Sequence, residues 1–200
     1  MSLVKIQGNA SGTGEFTIAA PNTNTNYTLT LPTNNGTILT TASSNLGKVL
    51  QVVSATKTDT FTTTSGTYVD ITGMSVSITP SNSANKILVL VNLSIINSST
   101  STRYIFRLVR DSTAIGSGSG EGTRVGVMSG SQTTSATGGF LGTLGGIHLD
   151  SPATTSATTY KLQTYAIDAG TIVVNRTMSD TDGSSYFRTS SSITAMEIAA

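Results

Sequence analysis

The sequence predicts an all-β protein, and three observations carry that prediction. Thr and Ser number 37 and 28, so 65 of the 200 residues bear a small hydroxyl, with 20 Gly and 12 Asn beside them. Thr is β-branched and suits a pleated surface, while Ser, Asn and Gly favour turns over helix interiors. Short apolar segments of period two recur along the chain between Pro, Asn and Gly turns, with no helical stretch. Finally, 36% hydrophobic residues with a net charge of +1 are unlike the composition of a disordered chain.

A composition boundary near residues 41–47 separates two modules, 1–45 and 46–200. In the first, Phe16 to Ala19 precedes Pro21, Tyr27 to Leu31 precedes Pro32, and Thr37 to Thr40 follows Asn34-Asn35-Gly36. These read as three short strands with two or three apolar side chains each. A module of about 45 residues with so few large apolar groups rarely folds alone without disulfide or metal. The expectation is a stem in which copies intertwine about a symmetry axis and share one narrow core.

In the second module, strands are predicted at Val49 to Val53, Thr58 to Thr63, Tyr68 to Thr72 and Met74 to Thr79. The last alternates Met74, Val76 and Ile78 against Ser75, Ser77 and Thr79, a half-buried antiparallel pattern. After the turn at Pro80-Ser81-Asn82, Lys86 to Ile96 reads as a central strand buried on both faces. Arg103 to Arg110 sets Tyr104, Phe106 and Leu108 against Arg103, Ile105 and Arg107, and Tyr160 to Ile167 and Ser192 to Ile198 supply late strands. About eight to ten strands without a helix indicate an antiparallel β-sandwich, with the jelly roll preferred. Eleven glycines between residues 112 and 146 predict long loops, read either as a binding surface or as a flexible connector.

Several chemistries find no support. Cys is absent, which removes disulfides and thiolate metal ligation. The longest apolar run, Ile87 to Ile96, falls short of the roughly 18–20 residues of a membrane helix, so no membrane insertion is expected. The opening Met-Ser-Leu-Val-Lys-Ile lacks a secretory signal, which predicts synthesis in a cytoplasm. An even charge balance sets up no field for nucleic acid, and Tyr104 and Phe106 alternate away from Arg103 and Arg107 rather than joining them. His148 is the only His. In an extended strand it shares a side with Asp150, but no nucleophile elbow accompanies the pair. The run GSGSGEG at 116–122 lacks the spacing and flanking elements of a dinucleotide loop, and Val49 after Gly47-Lys48 breaks the P-loop pattern. Asp180-Thr181-Asp182-Gly183 resembles half a calcium loop without its twelfth-position Glu, and reads as a solvated turn. The expectation is no enzyme, no cofactor and no metal; a glycan hydrolase would need two carboxylates about 5–9.5 Å apart in a groove. Tyr186 and Phe187 are the best candidates for exposed stacking rings. With Arg188, Asp180 and Asp182 they form the candidate receptor contacts.

Residues 12–23 (GTGEFTIAAPNT) and 27–41 (YTLTLPTNNGTILTT) resemble the stem module of tailed-bacteriophage fibre proteins. The stretches SANKILV (83–89), LDSPATTSATTYKLQ (149–163) and SITAMEI (192–198) are similar to the C-terminal domain of fibre-like virion proteins of aquatic phages. The resemblance implies a homotrimer with a slender stalk and a jelly-roll tip comparable to the tumour-necrosis-factor-like fold. It implies a place on the virion, contact with other virion proteins (a tail adaptor or the capsid), and attachment to a host surface glycan or protein. The alternative it leaves is a capsid decoration or head-fibre protein.

Overall fold

In a computed structural model, the structure describes residues 11–12, 22–26, 48–98, 101–134, 141–167 and 170–200. The chain divides into two compact units, residues 1–39 and 40–200. In the first, Thr25 N–H donates to Thr23 Oγ1 at 3.1 Å, a local turn; the three strands expected there lie outside the described residues.

The second unit is built from antiparallel strands packed in two sheets. Their order is β1 (Val49–Lys57), β2 (Phe61–Thr63), β3 (Val69–Ile78), β4 (Lys86–Asn97), β5 (Ser101–Arg110), β6 (Thr113–Ile115), β7 (Ser129–Thr134), β8 (Gly142–Asp150), β9 (Thr158–Thr164), β10 (Ile172–Val174) and β11 (Ser191–Ile198). β4 is the axis of the first sheet. β8 pairs along one edge, while β11 and then β10 share the other, and β1 and β2 lie outside β11 and β10. The second sheet runs β3-β9-β5-β6, with β7 also pairing with β5.

Alternation within each strand sends one set of side chains between the sheets. From β3 come Ile71, Met74, Val76 and Ile78, and from β5 Tyr104, Phe106 and Leu108, as their spacing predicts. They meet Ile87, Val89, Val91, Leu93 and Ile95 of β4, with Ile193 and Ala195 of β11. Each fully buried aliphatic or aromatic side chain of this kind stabilises the sandwich by about 1.5–3 kcal/mol.

Four sequence expectations need correction. Tyr68 to Thr72 and Met74 to Thr79 belong to one strand, interrupted by a bulge between Asp70 and Ser75. Gly73 sits there at φ +82°, a conformation glycine adopts without a Cβ penalty. The strand expected from Thr58 starts only at Phe61, because the chain turns after Lys57, whose buried ammonium reaches forward to Asp59 at 2.8 Å. Burial of β4 on both faces holds from Leu93 to Asn97, whereas Leu88 and Leu90 are half-buried and Asn92 is exposed. The glycine-rich region contains β6, β7 and the start of β8, and among the described residues the expected long loop is confined to residues 116–128. Two of the region's strand glycines admit neighbours: a Cβ at Gly130 would lie 2.7 Å from Ile105 Cγ2, and one at Gly142 would collide with the Tyr104 hydroxyl.

Two buried carboxylates tie the elements together. Asp150, at the end of β8, accepts from Arg110 Nη1 of β5 at 2.9 Å and from Tyr160 Oη of β9 at 2.6 Å, so it bridges the sheets. Burial, and then the neighbouring carboxylate, push the Tyr160 hydroxyl strongly up, which keeps it a donor. Glu197 of β11, 1% exposed, accepts from Asn85 Nδ2 at 2.6 Å, from Gln51 Nε2 at 2.7 Å, and from the backbone N–H and hydroxyl of Ser81. Burial alone would raise its pKa; these hydrogen bonds outweigh it and bring the carboxyl down to about 2 from 4.5.

A folded-state pKa below the unfolded one gives stability that is present above pH 4.5 and lost as pH falls toward 2. Urea unfolding of wild type and Glu197→Gln, compared between pH 6 and pH 2.5, should therefore show wild type losing up to about 3 kcal/mol more than the variant. Equal losses in the two proteins would remove Glu197 from the acid response.

Candidate functional site

Two surfaces of the sandwich stand apart from the rest. The first is the outer face of the β1-β11-β4-β8 sheet. Register places Val52, Met196, Leu88 and Leu149 in one row across the four strands, and Ser54, Thr194, Leu90 and Ile147 in the next. Ile147 is 72% exposed, and Val49, Leu50, Val52 and Leu149 are exposed as well. The third row is Thr56, Ser192, Asn92 and Gly145, and the missing side chain at Gly145 opens a shallow groove beside Leu90 and Ile147. Lys86, bonded to Ser151 Oγ at 2.8 Å, is the charged residue among the β4, β8 and β11 positions of this face.

The outer face of the other sheet shows how a solvated surface looks in the same molecule. Gln163 donates to Asp70 and accepts two bonds from Arg107, whose guanidinium lies 3.6 Å from the centre of the Tyr68 ring. Lys161 bonds Asp70 at 2.8 Å and, ahead of an opposing effect of burial, holds its carboxyl below the usual range. Ser77 and Thr159 pair across the strands at 2.8 Å.

The second surface is the connection between β10 and β11. Its root is held by Asn175, buried at φ +63°, which donates to the Lys57 and Asp59 carbonyls and accepts from Ser191 Oγ. A bridge pairs Arg176 with Arg188, and Thr177 N–H bonds the Phe187 carbonyl at 3.3 Å. Arg188 Nη2 donates to both oxygens of Asp180 at 2.9 Å, and Arg176 Nε lies 3.9 Å from the same carboxylate. The tip turns back through Tyr186 N–H to the Gly183 carbonyl at 3.0 Å.

This arrangement brings Asp180, Asp182, Tyr186, Phe187 and Arg188 around one cavity of about 260 Å³, completed by Thr177, Thr181 and Gly183. Tyr186 and Phe187 are 43% and 56% exposed, so neither ring enters the core. Asp180 is committed to arginine, and no group of three or more His, Asp or Glu side chains that could hold a metal exists among the described residues. His148 and Asp150 do share a face of β8, but the carboxylate is engaged by Arg110 and Tyr160, and the imidazole packs against Gly116, where a Cβ would lie 2.9 Å from its Cγ. Arg107 and Arg110 point to opposite faces of β5, each with its own partners. Sequence reading located the aromatic turn but missed the apolar sheet face. Its signal was that β4 is apolar in both alternating registers.

No family model matches the chain, and no curated protein matches it.

An exposed pair such as Asp180–Arg188 contributes at most about 1 kcal/mol. Asp180→Asn should speed amide exchange at residues 177–187 by about two- to five-fold while leaving β4 protection unchanged. Unchanged exchange in the turn would show that the pair does not hold it.

Proposed function

We propose that this chain is a non-enzymatic structural protein of a bacteriophage particle, a trimeric tail fibre or fibre-like protein. On this reading it is anchored to the particle through its N-terminal stem and meets the host surface with its C-terminal sandwich. The observation that carries the proposal is the apolar outer face of the β1-β11-β4-β8 sheet. Contiguous apolar patches on a soluble protein mark interaction sites, and the polar outer face of the opposite sheet shows what this chain does where water is the neighbour. A near-absence of charge lets a second protein surface cover the patch at little desolvation cost. Identical chains meet in closed symmetry, and a face with a groove beside it suits a head-to-tail ring. The threefold symmetry comes from the sequence resemblance.

The strand order supports the finer reading of the sandwich as a jelly roll. Leaving aside the three-residue strands β2, β6 and β10, the layers reduce to β1-β11-β4-β8 and β3-β9-β5-β7, between which the chain passes repeatedly, as paired Greek keys require. The resemblance of residues 12–41 to a fibre stem supports a place on the virion.

Light scattering of the wild-type chain should give a mass about three times 20.5 kDa at micromolar concentration, and Leu88→Glu with Ile147→Glu should make that mass fall at a higher concentration than in wild type on dilution, with the circular dichroism of a folded sandwich. A wild-type monomer would overturn the assembly. On intact particles, an antibody to residues 46–200 should label the tail. Label over the shell would replace attachment by capsid decoration, and absence of label would remove the protein from the particle.

A further inference from the structure

We propose that the cavity in the β10–β11 connection binds a single pyranose ring that carries no anionic group. The inference deepens the reading of this domain as a host-contacting tip and rests on it for its biological sense; the site itself is argued from its geometry.

The cavity combines the two things a sugar ring needs. Phe187 and Tyr186 offer exposed aromatic faces on which the apolar C–H side of a pyranose can lie. Vicinal hydroxyls need acceptors and donors at fixed separation. Asp182 lines the cavity with a carboxylate that none of the described residues engages, and Arg188 spends Nη2 on Asp180, which leaves its Nε and Nη1 hydrogens outside that pair. Preorganisation is built in, because the Asp180–Arg188 fork, the Arg176–Arg188 bridge and the Asn175 anchor hold the turn without a ligand.

Size and charge narrow the ligand. At about 260 Å³ the cavity lies below the roughly 300–1,000 Å³ of pockets that enclose drug-sized molecules, so it takes one ring of a longer chain. Two carboxylates and one guanidinium line it; Arg176, just outside the lining, shares Asp180 with Arg188, so among the described residues the carboxylate without a partner at the wall is that of Asp182. Sialic acids, uronic acids and phosphorylated sugars would meet repulsion from Asp182, whereas neutral and amino sugars would not. Affinity for one ring is expected in the millimolar range; three copies on one assembly would raise it by avidity without new contacts.

Saturation-transfer NMR on the full-length chain tests this with the methyl glycosides of glucose, galactose, mannose, N-acetylglucosamine and glucosamine, with methyl glucuronide and a trilysine peptide as counter-probes. The expected result is transfer to the ring C–H protons of at least one neutral or amino pyranoside. That signal should fall at least tenfold in Phe187→Ala and in Asp182→Asn, with wild-type melting temperatures, and persist in Glu121→Gln. Any of three results would overturn the proposal: no transfer from any pyranoside, transfer that survives both variants, or binding confined to the glucuronide or the peptide. Particle labelling separates the two readings, since a labelled tail with no sugar signal removes the site alone, and a sugar signal in a chain absent from particles removes the virion role alone.

Discussion

A β-strand has two faces, and a two-layer sandwich covers one of them. β4 is apolar on both through much of its length. Its odd-numbered residues from Ile87 to Ile95 close the core, while Leu88 and Leu90 look the other way beside Met196, Leu149 and Ile147. That surplus of apolar surface at the centre of the sheet is the constraint on which the rest of the interpretation depends. A lone sandwich would leave it in water, although the same chain clothes its opposite sheet in Asp70, Gln163, Arg107 and Lys161.

The buried polar groups have a complementary role. Asp150 joins three strands from both sheets, Glu197 gathers the ends of β1, β11 and the β3–β4 turn, and Asn175 pins the root of the β10–β11 connection. Buried carboxylates and amides are costly unless fully hydrogen-bonded, so each of these clusters fixes in place the loops that bring its partners. The aromatic turn inherits its rigidity from the last of them. A surface turn held from below by Asn175 and closed across its neck by Arg176 and Arg188 can present rings to a ligand without collapsing onto the sheet.

How much was legible in the sequence follows from which signals are local. Alternation is local, so Tyr104, Phe106 and Leu108, or Met74, Val76 and Ile78, are read correctly as inward-facing. Gly130 and Gly142 mislead because their meaning is tertiary: each is a strand position made small by a neighbour on another element, which composition alone renders as a loop. Burial of β4 on both faces holds from Leu93 to Asn97 and not at Leu88 to Asn92, because a run of apolar residues does not say what lies over each face. The turn from Asp180 to Arg188 is recognisable from Asp, Gly and two aromatics in succession. That Asp180 is a strut for Arg188 and Asp182 the free edge depends on side-chain geometry that spacing does not encode.

Because the chain has no Cys, a single introduced thiol reports on one position without background. The most direct measurement is the rate of maleimide labelling of native Ile147→Cys against native Ser77→Cys, two sites on opposite outer faces that are both exposed in the single sandwich. If another copy covers the β1-β11-β4-β8 face, the thiol at position 147 reacts at least tenfold more slowly than that at 77 and becomes equally reactive in denaturant. Equal and rapid labelling of both in the native protein would contradict the account.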